Sequence, residues 1–277
     1  MALLPIFILA LVQGITEFLP ISSSGHLILV HAALGGDTNP GNAWQDHMLI
    51  DVAVHIGTLL SVILYFRKDI YTMCLGIKNI AQKDVHAEGS QLIFKVLIGS
   101  VPVMIAGYAL HLWQPEWLLK VEIVAWTTII FGVLLWLSDR TSNCTRTVEN
   151  MSLKHALMIG ISQALALVPG TSRSGITMTA ARFLGYSRAE AAHFSLLLAI
   201  VAISGAGALS VNELIQTGNI DIGLDFALAV ILSFITGLAA IALMMKWLER
   251  ATFMPFVIYR LAMGAVLLGL IYGGFIG

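Results

Sequence analysis

Charged side chains are scarce in this 277-residue chain, where Asp, Glu, Lys and Arg together make up 11% of the residues and hydrophobic residues 58%. Soluble domains carry about 25% charged residues, so a soluble globule of this size would lack the polar surface to cover itself. An ordinary soluble enzyme is therefore excluded, and a lipid bilayer is the expected solvent of the chain.

The sequence also lacks an excess of basic residues and a cysteine framework. Its formal net charge is -1 at pH 7, whereas nucleic-acid-binding domains usually show a clustered basic excess, so no nucleic-acid partner is expected. The two cysteines, Cys74 and Cys144, fit no metal or disulfide spacing. Redox chemistry is therefore not indicated.

Long apolar runs dominate the sequence instead. A spanning helix needs about 20 apolar residues. Six windows meet this requirement: 48–66, 91–111, 120–137, 189–210, 225–245 and 253–275.

Two further apolar stretches, 2–35 and 155–185, are interrupted by polar motifs. At about 1.5 Å per residue, neither half of either stretch can cross a hydrocarbon core of about 30 Å. Polar backbone at membrane depth is tolerated only where it is buried in protein or lines a cavity, so each stretch is predicted to form a re-entrant helical hairpin. The predicted fold is an all-α polytopic membrane protein with about six transmembrane helices plus two re-entrant hairpins.

Loop charges predict the orientation, because cytoplasmic loops are enriched in Lys and Arg. The connections 67–90, 138–154 and 246–252 carry Lys and Arg and are placed inside, whereas 36–47 and 211–224 carry Asp or Glu but no Lys or Arg and are placed outside. The first hairpin then enters the membrane from outside and the second from the cytoplasmic side.

The two polar breaks resemble each other when residues 13–25 are aligned with 163–175 at an offset of 150 residues. The identical pairs are Gln13 and Gln163, Ser22 and Ser172, Ser24 and Ser174, and Gly25 and Gly175. An inverted-topology repeat explains this match, and such folds place their site near the midplane where broken helices meet. We therefore predict one membrane domain, 1–277, built from inverted repeats 1–137 and 153–277.

The first break combines a carboxylate, hydroxyls and an imidazole. Gln13 and Glu17 are four residues apart and share one helix face, and Pro20 cannot continue that helix. A serine run follows, and Ser23 lies three residues before His26, which pairs a hydroxyl with a base, the minimal activated nucleophile. Glu17 could orient the imidazole, act as a second base or bind a cation.

The second break surrounds Arg173 with hydroxyls at the start of a helix. Ser172, Ser174 and Thr177 lie within one turn of this arginine. A helix N-terminus offers free N–H donors and Arg adds a planar bidentate fork, which together suit a phosphate. A bare Arg at this depth costs about 2.5–3.5 kcal/mol, so an anionic partner is expected.

Alternative interpretations remain open on residues alone. Serines and glycines in membrane helices often serve close packing, Glu17 and Arg173 could form a buried pair without chemistry, and His26 could be a core histidine. Arg260, near the start of the last span, is expected to be structural. A transporter or a lipid flippase that binds a phosphate-containing anion would share the inverted repeat and the midplane site.

The strings Gln13–His26 and Pro169–Thr177 resemble the two signature motifs of the bacterial undecaprenyl-diphosphate phosphatases, the bacitracin-resistance family, and the resemblance covers essentially the whole chain. It implies removal of the terminal phosphate of undecaprenyl diphosphate, which recycles the lipid carrier for peptidoglycan synthesis and confers bacitracin resistance. It also implies a bacterial cytoplasmic (inner) membrane location, a site open to the outer, periplasmic face, and Mg²⁺ or Ca²⁺ as cofactor.

The resemblance also assigns roles to residues. The implied catalytic residues are Glu17, Ser23, His26 and Arg173, and the implied phosphate-binding residues are Ser22, Ser24, Ser172, Ser174, Gly175 and Thr177. Glu17 and Gln13 are the implied metal ligands, although many relatives carry Glu where this chain has Gln13, which removes one charge. The expected partners are the lipid substrate and membrane lipid, with a homodimer left open.

The mechanistic hypothesis is attack of Ser23 on the terminal phosphorus with His26 as base, while Glu17 holds His26 or a divalent ion. Direct attack by a water molecule held by Glu17 and His26 is the competing route, and the sequence does not separate the two.

Overall fold

The structure, a computed structural model, describes residues 3–33, 40–113, 118, 120–140, 144–217 and 223–274. These residues form eleven α-helices: α1 Leu3–Thr16, α2 Ser23–Ala33, α3 Pro40–Tyr65, α4 Arg67–Ala81, α5 Glu88–Trp113, α6 Val121–Asp139, α7 Leu153–Ala164, α8 Arg173–Phe183, α9 Arg188–Thr217, α10 Leu224–Leu248 and α11 Met254–Tyr272. A short 3₁₀ turn, Leu165–Leu167, continues α7.

Five of these helices, α5, α6, α9, α10 and α11, are long and apolar enough to cross a membrane. The sixth predicted span corresponds to α3, which passes the same test together with α4, although the two are bent by 79° at their junction. The prediction of an all-α polytopic membrane protein is therefore confirmed.

Helix α4 lies in the 67–90 connection, where the sequence predicts no span. Its residues Tyr71, Leu75 and Ile77 are exposed, and it is fixed to α5 by the close approach of Gly76 to Gly89, where a Cβ on Gly76 would lie 2.3 Å from the Gly89 carbonyl carbon. The mostly apolar segment of this helix, 70–77, is only eight residues long and is flanked by polar and charged residues, so a search for 20-residue windows misses it.

The outer connections can be compared with the sequence only in part. Asp37 and Asp221, and the side chains of Asp46 and Glu213, lie outside the described residues. The external location of 36–47 and 211–224, which rests on these charges, therefore stays a prediction.

Both predicted hairpins are helices broken at the polar motifs. Helix α1 has 14 residues and rises about 21 Å, which is short of a hydrocarbon core of about 30 Å. Residues 17–22 separate it from α2, and residues 168–172 separate the second pair, α7 and α8.

The two breaks share an unusual backbone conformation. Ser22 and Ser172 have φ angles of 73° and 71°, in the left-handed region that non-glycine residues rarely adopt. In each case the serine hydroxyl accepts a hydrogen bond from the glycine N–H three residues later, at 3.4 and 3.1 Å. The recurrence of this strained geometry at an offset of 150 residues supports the internal repeat; the boundaries 1–137 and 153–277 stay a prediction.

Each hairpin packs on spans of the opposite half. Helix α1 packs on α10, and in the corresponding arrangement α7 packs on α5. Glycines permit the close approach, because a Cβ on Gly14 would lie 1.8 Å from Thr236 Oγ1, and one on Gly160 would lie 2.3 Å from the Gly99 carbonyl oxygen. Small residues serve this purpose in membrane helices generally. The crossed packing brings the two breaks together at the centre.

Candidate active site

The polar breaks of the two hairpins are in direct contact. The Ser174 hydroxyl donates a 2.8 Å hydrogen bond to the Leu19 carbonyl oxygen, which joins the second break to the first. Gly170 lies in the second break with a φ of 87°, and a Cβ there would lie 2.4 Å from the Val124 carbonyl oxygen. Only glycine fits this conformation and this close approach to α6.

Arg260 in α11 connects the same two breaks. Its guanidinium is fully buried and donates hydrogen bonds to the carbonyl oxygens of Pro20 at 3.2 Å, Gly170 at 3.0 Å and Thr128 at 3.1 Å. The carbonyls of Pro20 and Gly170 lie in the two breaks, outside the helices, whereas that of Thr128 lies in α6. The expectation that Arg260 is structural agrees with these contacts, whereas its backbone partners could not be inferred from the sequence.

Glu17 is the centre of the site. Its carboxylate belongs to a residue only 8% exposed. It accepts hydrogen bonds from the Ser23 hydroxyl at 2.7 Å and from Gln13 Nε2 at 2.9 Å. Arg173 Nη2 completes the set at 3.2 Å from Glu17 Oε1. A buried carboxylate of this kind is tolerated because it is paired and hydrogen-bonded, and it is placed to accept the Ser23 proton.

His26 has different partners from those the sequence suggests. Its Nδ1 lies 2.7 Å from the Ser22 carbonyl oxygen, which can only accept, so Nδ1 carries the proton. The other ring nitrogen, Nε2, contacts the Tyr259 hydroxyl, and the two rings stack with centroids 5.5 Å apart. The base within hydrogen-bonding distance of Ser23 is therefore Glu17 rather than His26.

The second break supplies the cation. Arg173 is the first residue of α8 and remains 14% exposed at its side chain, while its Nη1 donates to the Ser195 carbonyl oxygen at 3.3 Å. Ser172 caps the helix by accepting from the Gly175 N–H. A guanidinium held at a helix N-terminus gives positive potential and free donors in one place.

The predicted catalytic and phosphate-binding residues differ in their accessibility. Ser23, Ser24 and His26 are partly exposed at the first break. Thr177 is buried behind the site, where its hydroxyl lies 2.7 Å from the Ser195 hydroxyl. A Cβ on Gly175 would lie 2.9 Å from Arg260 Nη1. Thr177 therefore joins α8 to α9 through Ser195, and Gly175 leaves space for the guanidinium of Arg260.

Comparison with known proteins identifies the family of the chain. The family model described as bacitracin resistance protein BacA matches residues 6–266. The chain belongs to the BacA family.

Relatives of this BacA-family chain align along its whole length. The protein named undecaprenyl-diphosphatase from Hahella chejuensis is 48% identical over 98% of this chain and 99% of its own length. Proteins of the same name from Ruegeria pomeroyi and Jannaschia sp. are 41% and 43% identical, each over 98% of this chain and 100% of their own.

A divalent cation fits this BacA-family site only with help from the substrate. The described residues contain no group of three or more His, Cys, Asp and Glu side chains that could hold a metal ion. The Oε1 atom of Gln13 is buried without a hydrogen-bond partner in the described part of the chain, beside the Glu17 carboxylate. Mg²⁺ is usually held by one or two carboxylates together with substrate phosphates, and Glu17 with Gln13 Oε1 matches that limited donor set.

Two further histidines form polar contacts outside this site. His55 Nδ1 donates to the backbone carbonyl oxygen of Asp51 at 2.6 Å, a contact internal to α3. His193 Nε2 pairs with Asp69 Oδ1 at 2.8 Å and joins α9 to α4. These pairs connect helices or turns rather than extending the cluster around Glu17.

Tyr259 is the site residue that the sequence analysis misses, and it gives a test. Tyr259→Phe removes the hydroxyl that orients the His26 ring and is expected to lower kcat about tenfold with little change in KM. The matched control is Tyr272→Phe, on the same helix, whose hydroxyl donates to Glu122 at 2.6 Å. We expect the control to retain full activity, and equal losses in both variants would contradict a positioning role for Tyr259.

Proposed function

We propose that this multi-pass membrane protein is an undecaprenyl-diphosphate phosphatase. It removes the terminal phosphate of undecaprenyl diphosphate to give undecaprenyl phosphate and inorganic phosphate, which recycles the lipid carrier for peptidoglycan synthesis and confers bacitracin resistance. The names of its full-length relatives support this function. The observation that carries it is the Ser23 hydroxyl hydrogen-bonded to Glu17 beside Arg173, because a transporter or flippase needs an anion site but no activated nucleophile.

Substrate binding follows from the charges of the site. The terminal phosphate lies against Arg173 and the N-terminus of α8, where the guanidinium fork and free N–H groups meet its oxygens. Phosphoryl transfer depends mainly on positioning and on stabilising the charge of the equatorial oxygens. Ser23 and Glu17, on the other break, lie beside these donors, because Glu17 Oε1 is 3.2 Å from Arg173 Nη2 and Glu17 Oε2 is 2.7 Å from Ser23 Oγ.

The chemical step begins at Ser23. Its Oγ forms a bond to the terminal phosphorus while the bond from that phosphorus to the bridging oxygen breaks, and its proton passes to Glu17 Oε2. Undecaprenyl phosphate leaves with the bridging oxygen. Water then attacks the phosphoserine and gives a proton to His26, while Glu17 returns its proton to Ser23 Oγ. The competing route is direct attack by a water held by Glu17 and His26.

A divalent cation, Mg²⁺ or Ca²⁺, is part of the proposal. Glu17 and Gln13 Oε1 would hold it, and when bound it would neutralise charge on the diphosphate. Gln13 Nε2 donates a hydrogen bond to the Glu17 carboxylate. This contact fixes the orientation of the carboxylate relative to Gln13 Oε1.

This metal role can be tested with Gln13→Glu. Two adjacent carboxylates repel each other unless a cation or proton lies between them, so the Mg²⁺ concentration for half-maximal activity should fall several-fold. Gln163→Glu, at the equivalent buried position of the second hairpin, is the matched control and should leave the titration unchanged. An unaltered Mg²⁺ titration of Gln13→Glu would reject the cation site.

We further propose that the protein resides in the bacterial cytoplasmic (inner) membrane with its site open to the outer face. The Lys and Arg residues of 67–90, 138–154 and 246–252 support this orientation. A cysteine placed in 36–47 should react with a membrane-impermeant reagent added to intact cells, whereas protection of that cysteine would reverse the orientation.

The function itself is tested by phosphate release from a prenyl diphosphate by the purified protein in detergent. No gradient exists in this assay, so a transporter or flippase would release nothing. Release of one phosphate per lipid, with prenyl monophosphate as the other product, is expected. Absence of release with every divalent ion tried would overturn the proposal.

A further inference from the structure

An apolar groove lies between α10 and α11 on the side of the molecule that faces the bilayer. Its volume is about 560 Å³, and its walls are apolar apart from Thr236. The residues that define it are Ile15, Leu19, Ala239, Leu243, Trp247 and Phe256.

The groove results from the way the last two helices pack. Helix α10 packs mainly on α3 and α1, whereas α11 packs on α6. Residues 249–253 join the two helices closely at one end. Because the two helices pack on different neighbours, a gap with a lateral opening remains between them.

This groove adjoins the first break, because Leu19 belongs to both. Leu19, in its wall, belongs to the first break and lies two residues after Glu17, and its carbonyl oxygen accepts the hydrogen bond from Ser174. Phe256, in the opposite wall, lies three residues before Tyr259, which contacts His26. The groove therefore shares Leu19 with the first break, and its Phe256 lies on the same helix as Tyr259.

We propose that this groove binds the phosphate-proximal part of the isoprenoid chain of the lipid diphosphate. The inference rests on the proposed function. A diphosphate held between the two breaks needs an apolar exit for its chain, and this groove begins at Leu19 and opens to lipid. From Thr236 to Trp247 it follows about 16 Å of α10, roughly half of the hydrocarbon core, so the distal part of a long chain lies in the bilayer.

The groove makes chain length a determinant of specificity. Apolar contacts distant from the reacting atoms bind the substrate and its transition state equally, so they lower KM rather than raise kcat.

Filling the groove tests this assignment. Ala239 is exposed in its wall, and Ala239→Trp is expected to raise KM for a C55 prenyl diphosphate in mixed micelles at least about tenfold, since it displaces several methylene groups, with kcat nearly unchanged. Ala227→Trp, at an exposed position of α10 outside the groove, is the matched control and should behave as the unmodified protein. An unchanged KM in Ala239→Trp overturns the proposal.

A second measurement does not depend on catalysis. A C55 prenyl diphosphate with a photoreactive group near its head is expected to label segments 239–247 and 255–256, and a phosphatidylglycerol with the same group on its acyl chain is expected to label them much less. Equal labelling by the two probes would mean that the groove holds bulk lipid, and would overturn the proposal. Selective labelling without phosphate release from the wild-type protein would support the groove and reject the phosphatase function.

Discussion

Replacing Arg173 by Ala is expected to lower kcat/KM for a prenyl diphosphate by at least about a thousandfold. A guanidinium that stabilises the equatorial oxygens in phosphoryl transfer contributes about 10³–10⁵ to the rate, and Arg173 is the cation that lies against Glu17 at the meeting point of the two breaks. Phosphate release by the purified protein in detergent measures the effect. Substantial activity in a folded Arg173→Ala variant would contradict the assignment of the phosphate site.

The same variant needs a control for folding, because it leaves Glu17 buried without its cation. Removing one partner of a buried pair costs about 3–5 kcal/mol, and this loss should appear in the thermal stability of the detergent-solubilised protein. The double variant Arg173→Ala with Glu17→Gln removes the uncompensated charge. We expect it to recover stability without recovering activity, which separates the catalytic effect from the structural one.

Ser23→Ala is expected to cause the second large loss, again at least about a thousandfold in kcat. It removes the oxygen that attacks phosphorus in the proposed route, whose proton already points at Glu17. A rapid acid quench of the unmodified protein with labelled substrate should trap phosphate on Ser23. Chemical stability in acid distinguishes this ester from phosphate merely bound.

Ser24→Ala provides the matched control, since the Ser24 hydroxyl contacts that of Ser22 at 3.3 Å rather than Glu17. We expect a loss of no more than about tenfold for this neighbour, typical of one phosphate hydrogen bond. Full activity of Ser23→Ala would reject the covalent route and leave direct attack by water as the mechanism.

Much of the fold could be predicted because membrane insertion depends on local composition. Each of the six apolar windows lies on a helix, and both polar interruptions coincide with breaks between short helices. The exception is α4, whose exposed Tyr71 and Ile77 lie in a mostly apolar segment of only eight residues, 70–77. Such a helix has no run of 20 apolar residues, so hydropathy alone does not reveal it.

The candidate site could be predicted as a set of residues but not as a set of contacts. Charged and hydroxyl side chains at membrane depth are costly, so their clustering at the two breaks singles them out. Their pairing depends on how the helices and breaks pack together. The Ser23 hydroxyl is hydrogen-bonded to Glu17, whereas His26 contacts the Tyr259 hydroxyl. Tyr259 is more than two hundred residues from His26 along the chain, and no local spacing links them.

The two breaks share one backbone conformation but differ in their side-chain chemistry. Positions 22 and 172 share the left-handed serine, and Gln13 and Gln163 are both buried with an unpaired Oε1 in the described residues. At the same offset, however, Ser23 corresponds to Arg173, and Glu17 corresponds to Leu167. The first break therefore carries Ser23 and the Glu17 carboxylate, and the second carries the Arg173 guanidinium.

The sequence by itself determined that this chain is a membrane protein. It also determined the positions at which the helices break and the few polar residues at those breaks. All three depend on local hydropathy and on the backbone preferences of individual residues. The tertiary structure alone decided that Glu17 rather than His26 contacts Ser23, that Arg260 bridges carbonyls of both breaks, and that α10 and α11 part to leave an apolar groove. These features arise where distant segments pack together, and the energy of such contacts depends on geometry that no local pattern encodes.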